Sequence, residues 1–324
     1  SGRSVVSQDG CALMTNPTSC QCDSGCNPGT CLVAGARTGP RLDFHYAFDA
    51  FKREGTRGNF QGPRFKSSYF VWGSGPPLVL GHGLSDRSDS FIPLASLLKD
   101  RFCCIGWDLP GTHPPAKEPL PWIRHRHLSQ HLIALIGHLG LDRPFLAGAS
   151  FGSTVVLRAL ATNPDLFRAG ILQGGFAHRP LNHVQRWLVR LARFTREKLM
   201  CQMPNYREFL RRANGDEFVT HSPDRWEHLV ACAGATPVRT VCHQALLLDQ
   251  TDLRSALPGI SLPVLLVCGA NDKVVDHRCA DDLVRGLPSA RKVTLSDCGH
   301  VPCYTDVEAL AALMAGFMDE VAGN

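Results

Sequence analysis

A serine flanked by small residues is the strongest chemical signal in the sequence, in the motif GASFG at 148–152. The apolar run PFLA precedes it and the amphipathic run STVVLRAL begins within a few residues after it, which predicts a sharp turn from a strand into a helix. Small neighbours suit such a turn because the backbone doubles back, and the turn would hold the Ser150 hydroxyl at the positive end of the helix. We therefore interpret Ser150 as a nucleophile. A tight turn whose serine only caps the helix is the alternative.

An acid and a base follow the serine in the order Ser, Asp, His. Such a serine needs a base to take its proton, and the base needs an acid to hold it in one tautomer. Asp272 lies just after the apolar run PVLLVCG (263–269), and His300 lies just after RKVTLSD (291–297). Taken singly, they could be an Asx turn and a solvated loop histidine. Together, at the carboxyl ends of two predicted strands, they predict a Ser–His–Asp triad.

Main-chain amides are the candidate donors to the oxyanion that forms during acyl transfer. One is the N–H of Phe151, directly after the nucleophile, and the other is the N–H of Leu84, in GHGL after the run PLVL. Losing one such donor typically costs about 3 kcal/mol of transition-state stabilisation.

Short apolar runs alternate with amphipathic stretches from about residue 41 onward. This rhythm predicts an α/β fold with a mostly parallel central sheet and helices on both faces. We predict strands within 66–72, 77–83, 102–108, 144–150, 169–175, 263–269 and 291–297, and helices within 127–141 and 153–164. The predicted division is a Cys-rich irregular extension (1–40), a core (41–175 and 256–324) and a helical cap (176–255).

Composition excludes several classes of protein. Of the 324 residues, 44% are hydrophobic and 19% are charged, which is too apolar for a disordered chain. The sequence contains no run of about 18 apolar residues, so it predicts no membrane-spanning helix. The net charge of +5 is small for a nucleic-acid-binding protein, so we expect no nucleic-acid partner.

The chain contains 14 cysteines, and five of them lie in the first 31 residues: Cys11, Cys20, Cys22, Cys26 and Cys31. Their spacing contains no paired CxxC, so a disordered or disulfide-stapled extension is favoured over a metal knuckle. We expect a cytoplasmic protein, or an extracytoplasmic one if these cysteines form disulfides. Cys103, Cys104 and Cys268 lie in apolar runs and are predicted to be small buried hydrophobic residues.

Two further segments invite a functional interpretation. His125, His127 and His131 could hold a metal, but no nearby carboxylate or cysteine completes a set, so we expect solvated histidines and no metal site. The stretch 183–200 predicts a basic amphipathic cap helix. We expect Trp187, Leu188 and Leu191 to wall an apolar substrate pocket, with the arginines in water. Contact with an acidic membrane surface is the alternative.

The chain also carries GSGPPLVLGHG (73–83), WDLPG (107–111), GANDKVV (269–275) and CGHVP (298–302). With GASFGS, these motifs resemble those of serine hydrolases of the α/β-hydrolase fold with a helical cap, over roughly residues 60–175 and 255–322. The resemblance implies Ser150 as nucleophile, Asp272 as acid, His300 as base, and Leu84 and Phe151 as oxyanion donors. It also implies that His82 shapes the loop that carries the Leu84 amide, which is called the oxyanion loop below.

Five residues depart from the family pattern. Ala149 replaces a histidine or bulky residue that many relatives carry, Thr112-His113 replaces a glycine and a serine, and Cys303 follows GHVP. Asp306 stands where relatives usually have glutamate. These departures remove no catalytic group and leave the subfamily open. Ser150 argues against the relatives that use an aspartate nucleophile, the haloalkane dehalogenases and epoxide hydrolases.

We therefore expect a cofactor-independent hydrolase of small-molecule carboxylic esters with an apolar acyl or alcohol part, and the sequence does not predict its oligomeric state. Thioester hydrolysis, C–C bond hydrolysis and acyl transfer are alternatives that use the same groups. From another class, the fold also serves as a non-catalytic ligand-binding receptor. Activity should rise between about pH 6 and 8, because only a neutral imidazole accepts the serine proton.

Overall fold

The computed structural model describes residues 31–34, 41–113, 120–195 and 198–323, with backbone only at 31–34, 216 and 217. Nine strands of these residues form one sheet in the order β1-β9-β8-β7-β6-β4-β5-β3-β2. The strands are β1 (Cys31–Ala34), β2 (Thr56–Gln61), β3 (Lys66–Trp72), β4 (Pro77–Gly81), β5 (Cys103–Trp107), β6 (Phe145–Ala149), β7 (Gly170–Gln173), β8 (Val264–Gly269) and β9 (Ala290–Leu295). All neighbours are parallel except β2–β3 and β3–β5. The mostly parallel α/β sheet expected from the sequence is confirmed.

Helices cover both faces of this sheet. They are α1 (Phe44–Glu54), α2 (Ile92–Leu98), α3 (His125–His138), α4 (Phe151–Thr162), α5 (His183–Ala192), α6 (Tyr206–Asn214), α7 (Asp216–His221), α8 (Pro223–Gly234), α9 (Val238–Asp249), α10 (His277–Gly286), α11 (Pro302–Thr305) and α12 (Val307–Gly323). Successive side chains of β4 point to opposite faces of the sheet, where two apolar clusters form the core. Leu78 and Leu80 join the cluster that includes α1, α2 and α12. Val79 points the other way and joins the cluster that includes α3, α4 and α10. Burial on both faces explains why the central strands are continuously apolar.

Part of the N-terminal extension forms a strand at the edge of the sheet. Residues 1–40 were expected to be irregular, which is wrong for Cys31–Ala34, because β1 pairs in parallel with β9. A four-residue strand is too short to show a pattern in sequence, and its pairing with β9 defines it. The other N-terminal cysteines lie outside the described residues, and so does any disulfide or metal that they might share.

The segment between β7 and β8 carries helices α5 to α9. In its described part, β-type pairing is confined to two isolated bridges, His178 with Asp252 and Leu199 with Pro237. The helix expected over 183–200 ends at Ala192, where the hydroxyl and amide of Thr195 both donate to the Ala192 carbonyl at 2.6 and 3.0 Å. These helices lie within residues 176–255, the range predicted to form a helical cap.

Three cysteines were predicted to act as buried hydrophobic residues. Cys104 and Cys268 are buried, and Cys103 is half-buried. Burial raises the pKa of the Cys268 thiol to about 11, so this group stays neutral at physiological pH. The prediction is confirmed for Cys104 and Cys268.

His125, His127 and His131 of α3 are buried, so the expectation that they are solvated is wrong. His131 packs in a stack against Phe65, with ring centroids 3.9 Å apart, and its Nε2 pairs with the Ser67 hydroxyl at 2.7 Å. His125 Nδ1 accepts from Arg158 at 2.8 Å and its Nε2 lies 2.8 Å from the Thr154 hydroxyl. His127 is also buried and accepts the amide of Arg124 at 3.0 Å. Within the described residues, no group of three or more metal-ligating side chains gathers here or elsewhere.

These buried rings predict a loss of stability in mild acid. Desolvation lowers the pKa of His131 from 6.5 to about 4, and desolvation together with the charge of Arg158 lowers that of His125 to about 3. As the pH falls below 6.5, the unfolded chain takes up protons that the folded chain refuses, so stability falls. From pH 7.5 to pH 5, each ring should cost about 2 kcal/mol of unfolding free energy.

Urea unfolding of wild type and His131→Gln at both pH values checks this. Glutamine does not titrate, so the variant should lose about 2 kcal/mol less than wild type between the two pH values, whatever its own stability at pH 7.5. An equal loss in both proteins would show that His131 is not the titrating group.

Candidate active site

Ser150 lies on a strained turn between β6 and α4. Its backbone has φ 48° and ψ −115°, an unusual conformation for a residue with a side chain. A Cβ added at Gly148 would lie 2.6 Å from the Gly152 backbone, and one at Gly152 would lie 2.4 Å from the carbonyl oxygen of Gly81. Both contacts are with backbone that cannot move aside. The two glycines of GASFG therefore let the turn close on itself and let α4 pack against β4.

Asp272 and His300 are brought together across 28 residues of sequence. The His300 Nδ1 lies 2.8 Å from one Asp272 carboxylate oxygen, and the amides of Val274 and Val275 donate to the other at 2.8 and 2.9 Å. Burial alone would raise the pKa of Asp272, but the hydrogen bond from His300, its charge and the two amides outweigh it and lower that pKa. An ionised carboxylate only accepts hydrogen bonds, so Nδ1 carries a proton, and in a neutral ring the lone pair is on Nε2.

The carboxyl end of β7 connects the serine to the histidine. The Gln173 carbonyl accepts the Ser150 amide at 2.8 Å, and the next residue, Gly174, lies against the His300 ring. Gly174 has φ 53°, and a Cβ there would lie 3.0 Å from His300 Cε1, so this position needs glycine. The structure thus places Ser150 and the Asp272–His300 pair at one sheet edge. Among the described residues, no hydrogen bond yet joins the Ser150 hydroxyl to His300, a bond that often tightens only with substrate bound.

The loop after β4 that carries one of the two predicted oxyanion amides packs against Ser150. A Cβ added at Gly83, the residue before Leu84, would lie 3.4 Å from the Ser150 Cβ. The Phe151 amide begins α4, so it has no acceptor within the helix. Buried His82 fixes the loop: its Nδ1 donates to the Gly83 carbonyl at 2.8 Å, and its Nε2 accepts the Leu109 amide at 3.0 Å. Desolvation lowers the pKa of His82, which keeps the ring neutral and able to make both bonds.

Sequence reasoning missed the side chains that anchor the oxyanion loop. The Tyr304 hydroxyl donates to the Asp86 carboxylate at 2.8 Å and joins this loop to the segment after His300. The Ser85 hydroxyl donates to the Ala233 carbonyl of α8 at 3.0 Å and joins the loop to the helices between β7 and β8. Asp86 follows GHGL by two residues, but nothing in the sequence pairs it with a tyrosine 218 positions away.

The three residues predicted to wall a substrate pocket are exposed in the structure. Trp187, Leu188 and Leu191 lie on α5, and their side chains are 61%, 51% and 52% exposed. The helix instead turns Arg186 toward the protein, where it pairs with Asp249 of α9. These three residues therefore form an outward apolar face, and the expectation that they face a substrate is wrong for this structure.

Cys298, two residues before His300, does not compete with Ser150 as a nucleophile. Its thiol is buried and lies 3.4 Å from the Thr305 hydroxyl. Burial raises the pKa of this thiol far above its usual range, so the reactive thiolate is not formed near neutral pH.

Comparison with known proteins agrees with this architecture. The chain is 27% identical over 256 residues to a pimeloyl-(acyl-carrier protein) methyl ester esterase of Stenotrophomonas maltophilia (strain K279a), covering 76% of this chain and 95% of that protein. It is 22% identical over 246 residues to a putative carbamate hydrolase, RutD, of Serratia proteamaculans (strain 568), covering 75% and 91%. The solved structure of a thermophilic esterase from Thermogutta terrifontis superposes with a TM-score of 0.72 at 20% identity, covering 82% of this chain and 99% of that one.

A family model described as the alpha/beta hydrolase fold matches residues 76–307, which include the serine turn, the oxyanion loop and the Asp272–His300 pair. The match spans most of the chain and agrees with the observed sheet order. The chain therefore belongs to the α/β-hydrolase-fold family of hydrolases.

Proposed function

We propose that this protein is a serine hydrolase of carboxylic esters, with Ser150 as nucleophile, His300 as base and Asp272 as the acid that orients it. The observation that carries the proposal is the 2.8 Å hydrogen bond between His300 and Asp272 at the sheet edge that also holds the strained Ser150 turn. A buried carboxylate bonded to Nδ1 leaves Nε2 as the only ring atom able to take a proton from serine.

The reaction then follows from these positions. His300 Nε2 takes the hydroxyl proton as the Ser150 oxygen attacks the ester carbonyl, and Asp272 stabilises the imidazolium that forms. The amides of Leu84 and Phe151 donate to the oxyanion of the tetrahedral intermediate. Collapse expels the alcohol, which receives the proton from His300. Water, activated by the same imidazole, then releases the acid and restores Ser150.

Relatives support the choice of an ester. One relative in sequence is named as a methyl ester esterase, and a structural neighbour is named as an esterase. A second relative is named as a putative carbamate hydrolase, so carbamate cleavage by the same groups is the competing activity. Both bonds place a carbonyl carbon next to a heteroatom leaving group, which the serine mechanism requires.

A substrate panel separates these activities. Purified protein is offered p-nitrophenyl esters of increasing acyl length, a matched thioester, a carbamate and a 1,3-diketone for C–C cleavage, with heat-denatured protein as the blank. We expect the highest kcat/KM on an ester with an apolar acyl chain. Preferred turnover of the carbamate would replace the ester proposal, and tight ligand binding without turnover of any substrate would identify a receptor.

A further inference from the structure

The outward face of α5 is unusual for a helix of a folded protein. Val184, Trp187, Leu188 and Leu191 recur at helical spacing and are all more than half exposed; these four residues are called the α5 face below. Phe194, just beyond the helix, is 71% exposed. Of the ten large apolar side chains that are exposed in the described residues, six lie between 184 and 209. Exposed apolar clusters of this kind mark surfaces that contact a partner or a membrane.

The opposite side of α5 fixes this orientation. Arg186 donates two hydrogen bonds to the Asp249 carboxylate at 2.7 and 2.8 Å, and the Leu181 amide donates to the same carboxylate at 2.8 Å. Rolling the helix to bury its apolar face would expose Asp249, which is 8% exposed here, and break this pair. The α5 face therefore cannot turn into the protein core without breaking these bonds.

Positive charge lies in the last turn of α5 and at its C-cap. Residues 182–195 contain three arginines and no aspartate or glutamate. Arg190 and Arg193 are exposed and form no ion pair with the described residues. The Arg193 guanidinium lies 4.8 Å from the centre of the Phe194 ring. A helix with Trp and Leu on one side and exposed arginines and a Phe at its C-terminal end suits the boundary between the headgroups and acyl chains of an acidic bilayer.

We propose that the α5 face docks this protein on the surface of an anionic lipid bilayer, with α5 lying in the plane of the interface. Trp187, Leu188 and Phe194 enter the acyl-chain boundary, and Arg190 and Arg193 contact the lipid phosphates. The described part of the chain holds no helix long and apolar enough to span a bilayer. The proposal concerns binding and does not depend on the ester hydrolysis proposed above.

Flotation of the full chain with vesicles tests this surface. One set of vesicles is phosphatidylcholine alone, and the other contains about 30 mol% phosphatidylglycerol; both are run at low salt and at high salt, where screening is strong. Wild type should float with the anionic vesicles and dissociate at high salt. Trp187→Ser with Phe194→Ser should weaken binding at least about tenfold, because two aromatic anchors are lost. Arg190→Gln with Arg193→Gln should remove the preference for anionic lipid.

Tyr46→Ser is the matched control, because Tyr46 is an exposed aromatic residue on α1, which packs against α2, whereas α5 packs against α9. It should bind as wild type, and circular dichroism should show all variants folded. The proposal is overturned if wild type floats with neither vesicle, or if the aromatic variant floats as well as Tyr46→Ser. It is also overturned if sedimentation shows a dimer that the aromatic variant abolishes, because a second copy would then cover the face.

Discussion

Replacing Ser150 with alanine should reduce kcat on the best p-nitrophenyl ester by about 10⁶-fold, to the level set by binding and the oxyanion amides alone. The fold should be unchanged, since alanine removes only one oxygen and keeps the same backbone strain at φ 48°. KM should change little, because the hydroxyl contributes to the transition state more than to substrate binding. Steady-state kinetics with circular dichroism checks both expectations.

Ser96→Ala provides the matched control, since the Ser96 hydroxyl of α2 donates to the Pro93 carbonyl of its own helix at 2.7 Å. Its activity should stay within about twofold of wild type, as is usual for a substitution remote from the chemistry. If Ser150→Ala kept activity near the wild-type value, the nucleophile would be another group and the proposed mechanism would be lost.

Replacing Asp272 with asparagine should lower kcat by about 10⁴-fold. Asparagine is nearly isosteric, and its oxygen can still accept the amides of Val274 and Val275, so the loop should keep its shape. Its amide group donates toward His300 Nδ1, where the carboxylate accepts, which moves the ring proton to Nε2. The base then has no lone pair facing Ser150, and the imidazolium loses its counter-charge.

Asp297→Asn tests whether this effect is specific. Asp297 lies three residues before His300, is exposed, and accepts the hydroxyl of its neighbour Ser296 at 3.1 Å. Its kcat should stay within about threefold of wild type, because an exposed charge is screened by solvent. Equal losses in the two variants would mean that general loop charge, and not the bond to His300, supports the reaction.

The parts of the fold that could be predicted are those whose local pattern agrees with their packing. Strand β3 matches its predicted range of 66–72, and the central apolar strands agree with theirs to within a few residues. Strand β2 was missed because TRGNFQ is polar and exists through its antiparallel pairing with β3. The orientation of α5 was missed because hydrophobic periodicity identifies an apolar face but not its neighbour, and the Arg186–Asp249 pair decided the outcome.

The features of the candidate site also include some that could be predicted from the sequence and some that could not. Ser150, Asp272 and His300 could be predicted to share one sheet edge because each lies at a strand end, where the topology of parallel sheets collects loops. The Tyr304–Asp86 bond joins residues far apart in sequence whose types are common on protein surfaces, so only the folded chain reveals it. His125 and His131 of α3 were misassigned for a related reason. Their partners Phe65, Ser67 and Arg158 come from other elements, and these contacts allow neutral rings in the core.

The central claim is that the Asp272–His300 pair activates one serine oxygen, and a fluorophosphonate probe reads that activation directly. Wild-type protein should gain one adduct, and peptide mass spectrometry should locate it on Ser150, with labelling sharply reduced in Asp272→Asn and absent in Ser150→Ala. A folded wild-type protein that stays unlabelled, or one labelled at another residue, would contradict the claim.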